Sequence, residues 1–271
     1  MSHSSSLSPA SRQTVDDFIQ RSNFWLGVPG KDRSYFWQMN GPGRPYSHTA
    51  QDVAQFTKAN CLAAALTHDS ELLVEFKTKL YTDSEKNKIS RFEGLPLAQL
   101  LGEYLVWIDH LFFFGIITHP TRRDGKLVAN QPIIKLQFQK GLSVDGTNLH
   151  GIFAEDTATL YVDITESSGE FKSFEMGLCI IVHELLHVYL HLLTRDNSAA
   201  NYFRDIVMGS GHGVQFQELL YFMFTRLSKW MPTIPQLEKL ATDTRNDLRA
   251  AIAQPPVSEA DARSLIASFR S

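Results

Sequence analysis

The sequence predicts an α+β protein in which a small, mostly antiparallel sheet drawn from residues 115–164 packs on one strongly apolar helix, with further helices before and after it. Three observations lead there. Strand signals cluster in one block, while helical spacing of apolar residues fills both flanks, a segregation that argues against alternating βαβ units. The helix at 174–193 carries no charge between Glu175 and Arg195 other than Glu184, so it must be buried.

The elements follow in order. Residues 1–13 are Ser-rich and read as a disordered terminus. A short helix is expected at about Thr14–Phe24, then a Gly/Pro/aromatic loop through Tyr46. Helical spacing resumes at 48–69 and 95–113, the second ending in Leu111–Gly115, where Gly115 supplies a stop. The strands are expected at 133–139, 149–154 and 159–164, the last two joined by Glu155–Ala158 as a hairpin turn. After the helix at 174–193 comes a variable stretch to Gly213, then helices at about Val214–Lys229, 235–253 and 258–269.

Composition narrows the function classes. The chain has 271 residues, 43% of them hydrophobic, which suits one large domain or a domain with a helical appendage and excludes wholesale disorder. Lys plus Arg number 26 against 29 Asp plus Glu, so the footprint of a dedicated nucleic-acid binder is missing. Residues 101–195 hold 7 basic and 11 acidic side chains, the most acidic third of the chain. The compact basic cluster there, Arg122, Arg123 and Lys126, reads as a solvated turn. Cys61 and Cys179 lie far apart in apolar surroundings, which excludes a cysteine-built zinc ribbon and predicts buried thiols. The first residues lack the apolar core of a secretory signal, and Asp109–His110 and His183–Glu184 interrupt the longest apolar runs before they could span a membrane. A nuclear or cytoplasmic protein without membrane contact is the expectation.

The chemistry sits in the buried helix, as His183-Glu184-Leu185-Leu186-His187. Residues i and i+4 lie on one helical face with Cβ atoms about 5–6 Å apart, so two imidazoles can converge on one Zn²⁺. Glu184 is rotated off that line but stays within reach of a water beside the metal, the position of a general base next to a Lewis acid. In a chain with 10 His, chance gives this pattern with a probability of roughly 2%. A buried His-Glu-His set without a metal would also strand polar groups in an apolar element.

A catalytic zinc takes a third protein ligand and keeps an open position. His191 lies eight residues beyond His183, roughly 12 Å along the axis, and three ligands on one straight helix cannot surround one ion. His212 is the leading candidate, because the glycines at 209, 211 and 213 let the backbone approach closely before a new helix begins. Glu218, on that following helix, is the alternative. Tyr189, His191, Tyr202 and Tyr221 are candidate oxyanion stabilisers that the sequence does not rank.

HisGluLeuLeuHisValTyrLeu, followed downstream by GlyHisGlyValGlnPhe, resembles the SprT-like (Spartan-type) zinc metalloproteases, which combine HExxH with a later His in a GHGxxF-like turn. The preceding strand pair and the Leu111–Gly115 run also look like that family, especially its fungal members. The resemblance covers about residues 104–225. It implies a zincin-like sheet on an active-site helix, a zinc ion held by His183, His187 and His212, and Glu184 as catalytic residue. It further implies protein substrates, including proteins crosslinked to DNA. Two departures stand out: 24 residues separate His187 from His212, and the cysteine-rich subdomain of many members, which contributes DNA binding, is missing.

The expected organisation is therefore a disordered 1–13, a helical region 14–95 of unassigned role, an SprT-like zinc metallopeptidase domain at 96–230 and C-terminal helices at 231–271. Zinc endopeptidase is the leading expectation, with a substrate strand adding along the edge near 159–164. A zinc-stabilised binding or scaffold protein without turnover is the alternative. Peptide or protein is the expected partner; DNA is implied by the resemblance and unsupported by the charge balance.

Overall fold

The computed structural model describes residues 49–67, 70–90, 95–115, 117–118, 122–123, 126–127, 135–139, 142, 151–154, 159–166, 168, 170–194, 198–207 and 212–269. The expectations for residues 1–46, and the turn at Glu155–Ala158, lie outside them. In chain order the helices and strands are α1 (Ala50–Asn60), α2 (Leu62–Ala65), α3 (Glu71–Ser90), α4 (Leu95–Phe112), then β1 (Arg122–Arg123) and β2 (Lys126–Leu127). They continue as β3 (Lys135–Phe138), β4 (Gly151–Ala154), β5 (Thr159–Val162), α5 (Phe174–Leu193) and α6 (Ala199–Tyr202). A π-helical turn at Phe203–Val207 leads to α7 (Val214–Trp230), α8 (Pro235–Ile252) and α9 (Glu259–Phe269). The protein is thus α+β, mostly helical with a small three-stranded sheet.

The chain divides into two compact units, Cys61–Leu185 and the pair of segments Tyr46–Asn60 with Leu186–Ser271. In the first unit, α3 buries Leu72, Leu73, Phe76 and Leu80, the 3–4 residue spacing of one helical stripe. Phe76 meets Trp107 of α4 at 5.4 Å between ring centroids, and Tyr104 meets Phe174 of α5 at 5.1 Å. The Tyr104 hydroxyl donates to Asp83 at 2.9 Å, and Lys79 bridges Asp83 and Glu103, so the polar groups at this core's margin are paired. Helix α3 falls where the sequence reading placed no separate helix. Helix α4 stops because Phe114 and Gly115 adopt positive φ, 61° and 66°, and the Gly115 N–H returns to the Asp109 carbonyl at 3.0 Å. The Asp109 carboxylate then accepts from the N–H groups of Ile117 and Thr118 and from the Thr118 hydroxyl, pinning the chain as it leaves.

The three-stranded sheet has the order β3-β5-β4. β4 and β5 form the expected antiparallel pair, Gly151 opposite Val162 and Ala154 opposite Thr159. β3 departs from expectation: it lies parallel to β5, Lys135 opposite Thr159, so the sheet is mixed and β5 is its central strand. Arg122–Arg123 and Lys126–Leu127 form a two-residue antiparallel pair where the sequence suggested a turn. Beyond β5, Asp163 accepts from the Leu142 N–H at 2.9 Å and from both the N–H and hydroxyl of Thr165. Ser173 then starts α5 by accepting from the Met176 N–H at 3.2 Å.

In the second unit, α7 buries Phe216, Leu219, Met223, Phe224, Leu227 and Trp230 on one face, and α8 opposes it through Leu237, Ala241 and Thr244. Pro235 occupies the first turn of α8, where its missing N–H costs nothing. The helix expected at 48–69 is interrupted: Cys61 is extended (ψ 156°), so α1 ends at Asn60. Among the described residues no helix is long and apolar enough to cross a membrane.

Candidate metal centre

Helix α5 carries His183, Glu184 and His187. Its described side chains are buried except Met176, and apart from that residue the helix opens only along His183, His187 and His191, which are half-buried. The spacing of four keeps these three on one stripe. The division between the two units falls inside this helix, between Leu185 and Leu186, so helix continuity alone fixes His183 relative to His187.

His212 reaches His187 within the second unit. Within the stretch after α5, which the sequence leaves as a variable segment, lie α6 and the π-helical turn. Ser198 accepts from the Asn201 N–H at the start of α6, and Glu259 of α9 accepts from the N–H groups of Ala199 and Ala200 and from the Ser198 hydroxyl. The Gly213 N–H donates to the Ile206 carbonyl at 3.0 Å. A Cβ on Gly213 would stand 2.6 Å from the Arg204 carbonyl oxygen, so glycine is required here by the close approach of two backbones. The π-helical turn is thus held against the backbone of the residue that follows His212.

The consequence is a convergent group. One ligand atom from each of His183, His187 and His212 lies within 4.8 Å of the others, close enough to hold a single metal ion. His187 and His212 have ring centroids 5.1 Å apart, and Phe216 stacks on His187 at 4.2 Å and lies tilted against His212 at 4.8 Å. Burial lowers the His212 pKa, opposed by the charge of Asp247 on α8, which favours the neutral form that binds metals. An all-imidazole set suits zinc, copper, nickel and iron alike, so the three histidines could hold a metal ion whose identity the donors do not fix.

Glu184 is 6% exposed, and burial pushes its carboxyl up to about 8. The first residue of β4 explains part of that enclosure. A Cβ on Gly151 would lie 2.5 Å from Glu184 Oε2, so the strand backbone comes against the carboxylate where a side chain would otherwise stand.

The other sequence candidates separate cleanly. Glu218 forms an ion pair with Lys58 of α1 and does not join the histidine group. His191 lies on the open stripe but outside that group. Tyr189 is fully buried and its hydroxyl bonds Thr57 at 2.8 Å; since Thr57 already donates to the Val53 carbonyl, Tyr189 is the donor. That bond commits the Tyr189 hydroxyl to Thr57. Tyr202 and Tyr221 are half-buried. Gly151 and Phe216 are the site residues that sequence reasoning did not single out. Phe216 stood in the GHGxxF motif as its last position; nothing local to Gly151 marked it.

No family model, curated protein or solved structure matches this chain.

Proposed function

We propose that the chain is a zinc-dependent metalloendopeptidase of SprT-like, zincin-like type, with His183, His187 and His212 holding the metal and Glu184 as general base. The observation that carries this reading is the pairing of a convergent three-histidine group with a buried carboxyl one residue from its first member. When bound, zinc would supply Lewis acidity, polarising a peptide carbonyl and making water easy to deprotonate near neutral pH. Glu184 then takes the proton of the attacking water on a carboxylate oxygen and delivers it to the departing amine nitrogen. Its apolar surroundings keep bulk water from competing for that proton.

Substrate enters as an extended strand, but not along 159–164. That segment is β5, whose two sides are taken by β3 and β4. The edge that serves is β4, which among the described residues pairs on one side only and begins at Gly151 against Glu184. Main-chain hydrogen bonds to such an edge recognise a peptide with little sequence preference. Proteins or peptides are the substrates, in the nucleus or cytoplasm. Proteins crosslinked to DNA fall within this class, but the acidic middle of the chain gives DNA no electrostatic purchase, so single-stranded DNA should not stimulate turnover.

The test is cleavage of an unfolded protein substrate by zinc-loaded wild type beside Glu184→Gln and His187→Ala, with and without single-stranded DNA. Wild-type cleavage lost in both variants supports the reading. Zinc binding without cleavage under either condition would replace it with a zinc-stabilised binding protein.

A further inference from the structure

Phe216 is fully buried in the first turn of α7, its ring centroid 4.2 Å from that of His187 at 25° and 4.8 Å from that of His212 at 35°. These two imidazoles reach the site from different segments, one from α5 and one from the turn before α7, and Phe216 lies against both, stacked on His187 and tilted against His212. From this we infer that Phe216 is a positioning residue for the metal ligands, acting through His187 and His212; the inference rests on the metal-centre reading above.

The argument starts from the torsions of a histidine ligand. Rotation of an imidazole about its last bond is a broad, weakly structured sp³–sp² torsion, so rotamer preference does not fix the ring plane. A ligand nitrogen must nonetheless point at the ion within about 10–20°. Metal-binding histidines usually obtain that constraint from a hydrogen bond to the second ring nitrogen. A flat aromatic wall adds a constraint of its own, since a ring stacked at 4.2 Å can turn out of parallel only by colliding with the wall. One wall against two rings also ties their planes together, to 32° between His187 and His212. The sign of the coupling is favourable: a metal draws electron density from the imidazoles, and the electron-rich face of Phe216 stabilises rings so polarised. A leucine would fill much of the same volume without offering a plane.

The experiment compares Phe216→Leu with Phe224→Leu, an equally conservative cut at a buried ring two turns further along α7. Zn²⁺ affinity is read by competition with a chromophoric chelator, and ligand geometry by the visible absorption of the Co²⁺-substituted protein. Phe216→Leu should weaken Zn²⁺ binding about 10–100-fold, the range typical of residues that orient ligands, and alter the Co²⁺ bands. Phe216→Tyr, which keeps the ring, should restore both. Phe224→Leu should lower the melting temperature without moving affinity or spectrum. Should Phe216→Leu fail to fold, Phe216→Met carries the same expectation. Wild-type affinity and an unchanged Co²⁺ spectrum in the flat-ring-deleted variant would overturn the inference, as would an equal loss in Phe224→Leu. A wild-type protein that binds neither ion would remove the metal centre itself, a failure legible before any Phe216 variant is made.

Discussion

Asp163 and Glu184 stand 21 residues apart in the same unit, 4% and 6% exposed, and meet opposite surroundings. Burial would raise the Asp163 pKa, but hydrogen bonds from the Thr165 hydroxyl and N–H and the Leu142 N–H, with the Lys172 ammonium nearby, outweigh it and hold the carboxyl below its ordinary value. At Glu184 burial acts alone and pushes the carboxyl upward. The first arrangement spends a buried charge on fixing the turn between β5 and α5. The second raises the proton affinity of a carboxyl one residue from the histidine group; in the proposed mechanism it accepts a proton in its ionised form, which the positive charge of a bound metal ion would favour. Burial of similar depth thus moves two carboxyls in opposite directions, because hydrogen bonds and a nearby ammonium act on Asp163 while desolvation drives the shift at Glu184.

The sharpest way to break that contrast is Glu184→Gln. It should cost about 10²–10⁴-fold in peptide cleavage, about 3–5 kcal/mol of barrier, with the melting temperature near wild type, because the amide matches the size of the carboxyl while losing its basicity. Single-turnover cleavage near the wild-type rate would sink Glu184 as base. Next in size is His212→Ala, expected to weaken metal binding by more than 100-fold, beyond what residues outside the ligand set cause. Glu218→Ala, measured by the same chelator competition, should stay near wild type, since that carboxylate is committed to Lys58.

Asp163→Ala should show the mirror image: about 3 kcal/mol of stability lost in urea unfolding, from stranding the Leu142 and Thr165 donors, and metal affinity kept. Its pH dependence has a definite sign. A carboxyl held below its ordinary value of 3.8 contributes stability that is fully present above that value and is lost as pH falls through the lower, folded one. The stability gap between wild type and Asp163→Asn should therefore narrow as the pH drops below about 4. A gap that stays constant to pH 2 would remove Asp163 as an ionised anchor. Gly151→Ala follows, at about 1–3 kcal/mol of overpacking with reduced cleavage, because the new methyl displaces Glu184. Smallest is Lys58→Met, at most about 1 kcal/mol, since both partners of its ion pair are about one-third exposed.

Much of the site was legible because its first half is local. His183, Glu184 and His187 follow from a helix that sequence alone made apolar and long, and the glycines around His212 marked a tight approach. The helices closing the chain read almost to the residue, since Pro235 and the amphipathic spacing after it depend on neighbours in sequence. Helix α3 falls inside the region 14–95 read as helical, and Leu72, Phe76 and Leu80 carry the helical spacing that would have given it bounds of its own. The parallel entry of β3 had no local signal, because four-residue strands show the same alternation whichever way they pair.

What the sequence determined by itself is the pairing of two imidazoles and a carboxyl on one helix, for the physical reason that 3.6 residues per turn fixes i and i+4 regardless of surroundings. The tertiary structure decided the rest. It brought His212 back across 24 residues through a π turn pressed on Gly213, put Phe216 across two imidazoles from different segments, and set β4 at the sheet edge with Gly151 against Glu184. Each of these is a contact between residues far apart in the chain, where closure depends on packing that no local spacing encodes.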